Sequence, residues 1–252
     1  MPWKIAAPHN WVAAWLNGEV YVFSALNCSM QSLSIEKYSP VTKTWCKVAE
    51  ALDYDLDNMF AFCHCSFINK LFLVGGYTES MIATDLCSTF NANDNSWSAV
   101  TGMEQVRFAA DCTVFDGQVV VAGGMDENET PLKTVQRYDV TADVWQPMAS
   151  MNEAKKFHKL VAVKNKLFAI GRIREGCEVF DKASDRFAYI EQPKKGLLSL
   201  KRVISIGNKI MVFNQFESYL DCYDFDKKKW HVESCEATKK LFEFSVVKIP
   251  CE

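Results

Sequence analysis

Across 252 residues, 28 Lys and Arg nearly balance 31 Asp and Glu, and 49% of the chain is hydrophobic. Balanced charge without a basic stripe removes the electrostatic case for binding nucleic acid or an anionic membrane, and 13% aromatic residues exclude a disordered chain. No apolar run approaches the roughly 18 residues of a membrane-spanning helix, and Met1-Pro2-Trp3-Lys4 lacks the basic start and apolar stretch of a secretory leader.

Read in chain order, short apolar segments alternate with small polar turns. Residues 2–8 carry a Trp followed by a tail ending in Pro8. Next come strands flanking Asn17-Gly18, then Tyr38 and Trp45 joined through SPVTKT. The same order returns four times. Hairpin turns are expected at Asn69-Lys70, Asp116-Gly117, Asn165-Lys166 and Gly207-Asn208, and the strands after them read LFLVGG, VVVAGG, LFAIG and IMVF. Each is followed by two aromatics seven residues apart: Phe90 and Trp97, Tyr138 and Trp145, Phe180 and Phe187, Tyr223 and Trp230. The residues between them are rich in Asp, Asn, Ser and Thr, which favour tight turns through local side-chain to backbone bonds. Residues 241–250 read as one further strand.

The repeat unit is therefore four antiparallel strands, with successive first aromatics 52, 48, 42 and 43 residues apart. One twisted four-stranded sheet cannot bury both faces, so such units stack in a ring. The reading is all-β: a β-propeller with five recognisable blades at approximately 11–50, 60–102, 107–150, 156–192 and 199–235. The terminal segments 2–8 and 241–250 supply strands of an incomplete sixth, and six-fold geometry is favoured over a five-bladed ring covered by these strands or an open ring. The whole chain, 1–252, is one domain.

The order of apolar strand, turn, strand with Gly-Gly, variable loop, aromatic plus Asp, and Trp resembles the kelch repeat. Gly75-Gly76 and Gly123-Gly124 carry the glycine pair. Trp45, Trp97, Trp145 and Trp230, with Phe187 in the fourth unit, carry the repeat aromatic. The unit with Arg107, Tyr138-Asp139 and Trp145 is the fullest match. The first and fifth units lack the glycine pair, and the fourth has only Gly171. The resemblance is to the C-terminal propeller of Kelch-like (BTB-kelch) substrate adaptors of cullin-RING ubiquitin ligases. It implies a protein- or peptide-binding module. A cullin is a partner only if a BTB-BACK region exists outside this chain. Actin-associated kelch scaffolds are the alternative, and a propeller enzyme is a more distant one.

The residues offer little to catalysis. Four His, at 9, 64, 158 and 231, form no nucleophile or metal motif. The acidic run 53–57 lacks the Gly and terminal Glu of an EF-hand loop and reads as a solvated segment or a surface for a basic partner. The ten cysteines show no C-x-x-C. In Cys63-His64-Cys65 the two sulfurs share one strand face and the ring takes the other, so no metal site is assigned. Free thiols in a reducing, cytoplasmic setting are expected, and no cofactor is.

Recognition is expected on the loops, which vary while the strands repeat. The resemblance implies that the loops after each second strand and those between blades share one face around the axis. The candidate contacts there are Tyr54, Asp55, Tyr77, Glu79, Met81, Arg107, Met125, Asp126, Phe157, Arg172, Arg174 and Phe216. Aromatics and Arg are the usual energetic anchors of an interface, and Arg can hold a carboxylate in bidentate fashion. Arg107 also has a structural reading, with Lys155 as its counterpart in the fourth unit.

Overall fold

The structure, a computed structural model, describes residues 11–24, 34–48, 59–78, 80–172, 174–193, 200–214 and 219–234. The expected terminal strands at 2–8 and 241–250 lie outside them. Among the described residues, twenty strands form five sheets of four. Blade one holds β1 (Trp11–Leu16), β2 (Glu19–Ser24), β3 (Ser34–Ser39) and β4 (Thr44–Lys47). Blade two holds β5 (Cys63–Phe67), β6 (Lys70–Val74), β7 (Cys87–Asn91) and β8 (Ser96–Val100). Blade three holds β9 (Asp111–Phe115), β10 (Gln118–Ala122), β11 (Val135–Asp139) and β12 (Val144–Met148). Blade four holds β13 (Lys159–Val163), β14 (Lys166–Ile170), β15 (Cys177–Asp181) and β16 (Arg186–Ile190). Blade five holds β17 (Leu200–Ile206), β18 (Lys209–Asn214), β19 (Tyr219–Asp224) and β20 (Lys229–Ser234). Every sheet is an antiparallel meander. The first strands of all five blades line one central cavity of about 460 Å³, through residues 13–15, 64–66, 112–114, 160–162 and 203–205.

The seven-residue aromatic spacing is a cross-strand pair. Tyr38 faces Trp45, Phe90 faces Trp97, Tyr138 faces Trp145, Phe180 faces Phe187 and Tyr223 faces Trp230, with ring centroids 5.1–5.4 Å apart. The turn between them is closed by local bonds. The Asp139 carboxylate accepts from the Thr141 and Ala142 amides, and Asn91, Asp181 and Asp224 accept from the amide two residues on. One left-handed residue, at Lys43, Asn95, Asp143, Asp185 or Lys228, completes each reversal. Two of the other hairpins turn one residue earlier than expected. Ile68-Asn69 makes the turn of blade two and Lys164 opens that of blade four, leaving Lys70 and Lys166 in strands.

Blades join through alternating apolar faces. Trp145 of blade three packs with Phe72, Val74 and Met103 of blade two, and its indole donates to the Thr101 carbonyl at 2.9 Å. Phe187 packs against blade three, and Trp230 packs against blade four and donates to the Glu191 carbonyl at 2.5 Å. Trp97 packs against blade one. In both indole bonds the acceptor stands four residues after the preceding blade's aromatic. Four such apolar clusters join blades one to two, two to three, three to four and four to five. Among the described residues no fifth cluster joins blade five to blade one. Trp45, on the side of blade one away from blade two, is 37% exposed, against 4% for Trp145.

The glycine pairs act where neighbouring blades touch. Gly75 and Gly123 have φ of +64° and +60°, and a Cβ on either would lie 2.4 Å from a backbone carbonyl of the next blade, Arg107 or Lys155. Gly76 and Gly124 donate their amides to those same carbonyls at 2.8 Å. Only a residue without a side chain allows both the positive φ and the approach. The hairpin glycine Gly117 also has positive φ, +73°, but nothing stands within 4 Å of its Cβ position. Gly123→Ala should therefore cost about 3 kcal/mol, combining backbone strain with the steric clash, and Gly117→Ala about 1 kcal/mol from backbone strain alone. Urea unfolding of both variants measures the difference.

Candidate functional site

The second strands of blades two to four end on the face where the inter-blade segments enter the first strands. Chain direction alone brings these two sets of residues together, since β9 and β10 pair Asp111 with Ala122. Beyond the glycines the chains add single bridges, Phe60 with Tyr77 and Phe108 with Met125. The result is a continuous aromatic stack. Tyr77 lies parallel to Phe60 at 5.5 Å, with the edge of Phe108 at 5.3 Å. Loop backbone beside it exposes Met81 and Ile82, at 64% and 63%.

A second line of backbone bonds runs from blade to blade. The Phe157 amide donates to the Ala109 carbonyl and the Ala109 amide to the Ala61 carbonyl, both at 2.9 Å. All three residues occupy equivalent places two residues before a first strand, and all three are left-handed, with φ of +50° to +52°. At two of them the side chain is a methyl group. At the third it is a phenyl ring, 50% exposed. A large aromatic in this conformation is disfavoured by its own backbone, and the inter-blade bond holds it there.

Of the anticipated contacts, Tyr77, Met81, Asp126, Phe157, Arg172 and Arg174 reach this face. Asp126 is partly committed: its carboxylate accepts from the Asn128 and Thr130 amides at 2.9 Å, closing its loop. Arg172 and Arg174 are exposed on the short blade-four loop, where the Arg172 amide donates to Glu175 at 3.3 Å. Tyr54, Asp55, Glu79 and Phe216 lie outside the described residues, as does the acidic run around Asp55. Two anticipated contacts are interior. Met125 is buried beside Phe108 and Pro131. Arg107 is fully buried, with its guanidinium donating to the Gly123 carbonyl at 2.9 Å and to the Thr134 carbonyl and hydroxyl at 3.2 Å. It serves the joint between blades two and three, and desolvation pulls its pKa down to about 10.

Lys155 fills the corresponding place between blades three and four. Its ammonium pairs with Glu178 at 2.8 Å, both side chains fully buried, and donates to the Glu175 carbonyl. Glu178 in turn accepts from the Asn152 amide and side chain at 2.7 Å and from the Glu153 amide at 3.1 Å, so both charges of this pair are matched. Phe60, Phe108, Ile82 and this ion pair escaped the sequence reading. The two phenylalanines were findable, because both stand three residues before a first strand.

His158 sits below Phe157, fully buried, with no hydrogen-bond partner on either ring nitrogen. Burial first, then the nearby cations Lys159, Lys155 and Arg107, lower its pKa to about 3.

The comparisons agree with this architecture. The Kelch motif matches residues 107–152, the span from Arg107 through the end of blade three. Kelch-like protein 36 of Bos taurus is 24% identical over 223 residues, covering 81% of this chain and 35% of that protein. Kelch-like protein 35 of Mus musculus is 23% identical over 217 residues, covering 81% and 36%. An F-box/kelch-repeat protein of Arabidopsis thaliana is 27% identical over 169 residues, covering 61% and 41%. With five four-stranded blades, the chain is a kelch-repeat β-propeller that resembles the Kelch-like proteins. It spans about a third of the length of the Kelch-like relatives it matches. Propellers of this kind are typically binding modules.

The imidazole of His158 supplies a pH test. Its folded pKa lies below the unfolded value of 6.5, so the unfolded state takes up the proton first as pH falls. Its contribution is intact above about pH 6.5 and is lost as pH drops toward about 3. Between pH 7 and pH 5, before carboxylates titrate, this one group should remove about 2 kcal/mol of stability. His158→Phe, which borrows the residue of blade two at this place, Phe62, should flatten that limb in denaturant titrations.

Proposed function

We propose that this propeller is a non-enzymatic module that holds a protein or peptide on its loop face, and that it serves as the substrate-recognition part of a Kelch-like adaptor for a cullin-RING ubiquitin ligase. The observation that carries the binding reading is Phe157. A half-exposed aromatic is held in a left-handed conformation where the two equivalent positions carry alanine. Backbone strain kept at an exposed position is a mark of use. Tyr77, Phe60 and Phe108 form a rigid stack on the same face, and Met81 and Ile82 add apolar surface. Arg172 and Arg174 supply cations suited to a carboxylate on the ligand. Rigid aromatics with few rotamers are effective anchors because little entropy is lost on binding.

The adaptor role rests on the likeness to Kelch-like proteins. A cullin would be met by a BTB-BACK region, not by these residues. A cytoplasmic location accords with the free thiols among the described residues, including buried Cys63, Cys87, Cys112, Cys177 and Cys222.

Affinity capture by the tagged protein, read by mass spectrometry, should recover a defined partner. Phe157→Ala and Tyr77→Ala should each weaken its capture at least about tenfold, at a cost of roughly 1–2 kcal/mol or more per anchor. The partner should accumulate when the protein is depleted from cells. Undiminished capture by both variants would overturn the assignment of the face. Co-sedimentation with filamentous actin at stoichiometric levels would favour a cytoskeletal scaffold over the adaptor.

A further inference from the structure

Blade five departs from the repeat on its outer strand. Three residues after the second aromatic, the first four blades carry Val48, Val100, Met148 and Ile190. Each of these belongs to the apolar layer toward the following blade. In blade five the residue is Glu233. Two positions earlier stands His231, where the other blades have Cys46, Ser98, Gln146 and Ala188.

The register shows what these residues meet. Met211, Cys222 and His231 lie in one cross-strand row, and Ile210, Tyr223 and Trp230 in the next. The second row packs on blade four. The first therefore lies on the opposite side of the sheet, with Glu233 two residues along the same strand as His231. One ligand atom from each of Cys222, His231 and Glu233 lies within 4.8 Å of the other two. The His231 Nε2 to Glu233 Oε1 distance is 3.0 Å. Cys222 is buried, while His231 and Glu233 are partly open to solvent. With metal bonds of about 2.0–2.3 Å, tetrahedral ligands stand ~3.5 Å apart, so only small side-chain movements separate this triad from a coordinating one.

We propose that Cys222, His231 and Glu233 form a binding site for a divalent metal of borderline softness, best matched by Zn²⁺, with a fourth position open to water. Thiolate, imidazole and carboxylate together are a zinc-type donor set, and all-oxygen ions such as Ca²⁺ or Mg²⁺ would not use the sulfur. The three ligands sit on two adjacent strands, so the sheet itself fixes their spacing. Lys209 is a built-in competitor. Its ammonium lies 2.5 Å from Glu233, and a metal must displace or share that contact. This sets the site apart from a purely structural ion pair, because removing the competitor should improve it.

The test uses the full chain, reduced and freed of metal, then loaded with Zn²⁺ or Co²⁺ and exchanged into metal-free buffer. One metal per chain is expected, with a thiolate-to-Co²⁺ charge-transfer band. Cys222→Ser, nearly isosteric, should abolish the band and weaken binding by at least about tenfold, and His231→Gln should weaken it likewise. Lys209→Met should tighten binding several-fold. Thermal unfolding of each variant without metal establishes that it is folded. Absence of stoichiometric metal, or retention of it by both Cys222→Ser and His231→Gln, would overturn the proposal and leave the cluster an ion-pair network. So would loss of the metal in Cys112→Ser but not in Cys222→Ser, which would place it among the thiols between blades two and three.

Discussion

The ring depends on how closely one blade's backbone approaches the next. At two joints the contact is a backbone amide on a backbone carbonyl, Gly76 to Arg107 and Gly124 to Lys155. Glycine makes it possible because a side chain would occupy the carbonyl's place. The same residues that lend their carbonyls send their cationic side chains inward. Arg107 reaches back across its own blade to the Gly123 and Thr134 carbonyls, and Lys155 reaches to Glu178. A single residue thus closes one joint with its backbone and braces the blade it leads into with its side chain. Apolar packing of Trp145 and its counterparts fills the space between sheets, but this polar clasp sets where the sheets stop sliding.

Much of this was legible before any coordinates. Aromatics seven residues apart specify a cross-strand pair, because the turn that fits between them is nearly fixed by its Asp or Asn and its left-handed residue. The glycine pairs are legible for the same reason: few conformations demand them. Arg107 misled in one respect. A basic residue in a loop beside aromatics has the composition of a binding surface, and only the carbonyls of Gly123 and Thr134, 16 and 27 residues away, turn it inward. The pairing of Lys155 with Glu178 is hidden likewise, since nothing local marks two charges 23 residues apart as partners.

The candidate site was only partly legible. Tyr77 and Phe157 could be named from residue type and position. The conformation that makes Phe157 unusual could not, because it comes from a hydrogen bond to the preceding blade. Phe60 and Phe108 are hidden in the sequence because the repeat pattern lies in the strands and not in the residues just before them. Glu233 shows the opposite case. Its oddity lies wholly in the sequence, yet it becomes visible only when the five outer strands are laid in register.

The chain of amides and carbonyls through Ala61, Ala109 and Phe157 has a mechanical meaning. Each blade's entry residue is held by the blade before it, so the angle at which the Phe157 ring leaves the surface reports the position of blade three. A small slip between sheets would tilt that ring before it broke any apolar cluster. The loop face is then a gauge of the joints between blades two, three and four, and a ligand gripping Phe157 and Tyr77 together would act as a brace across both at once.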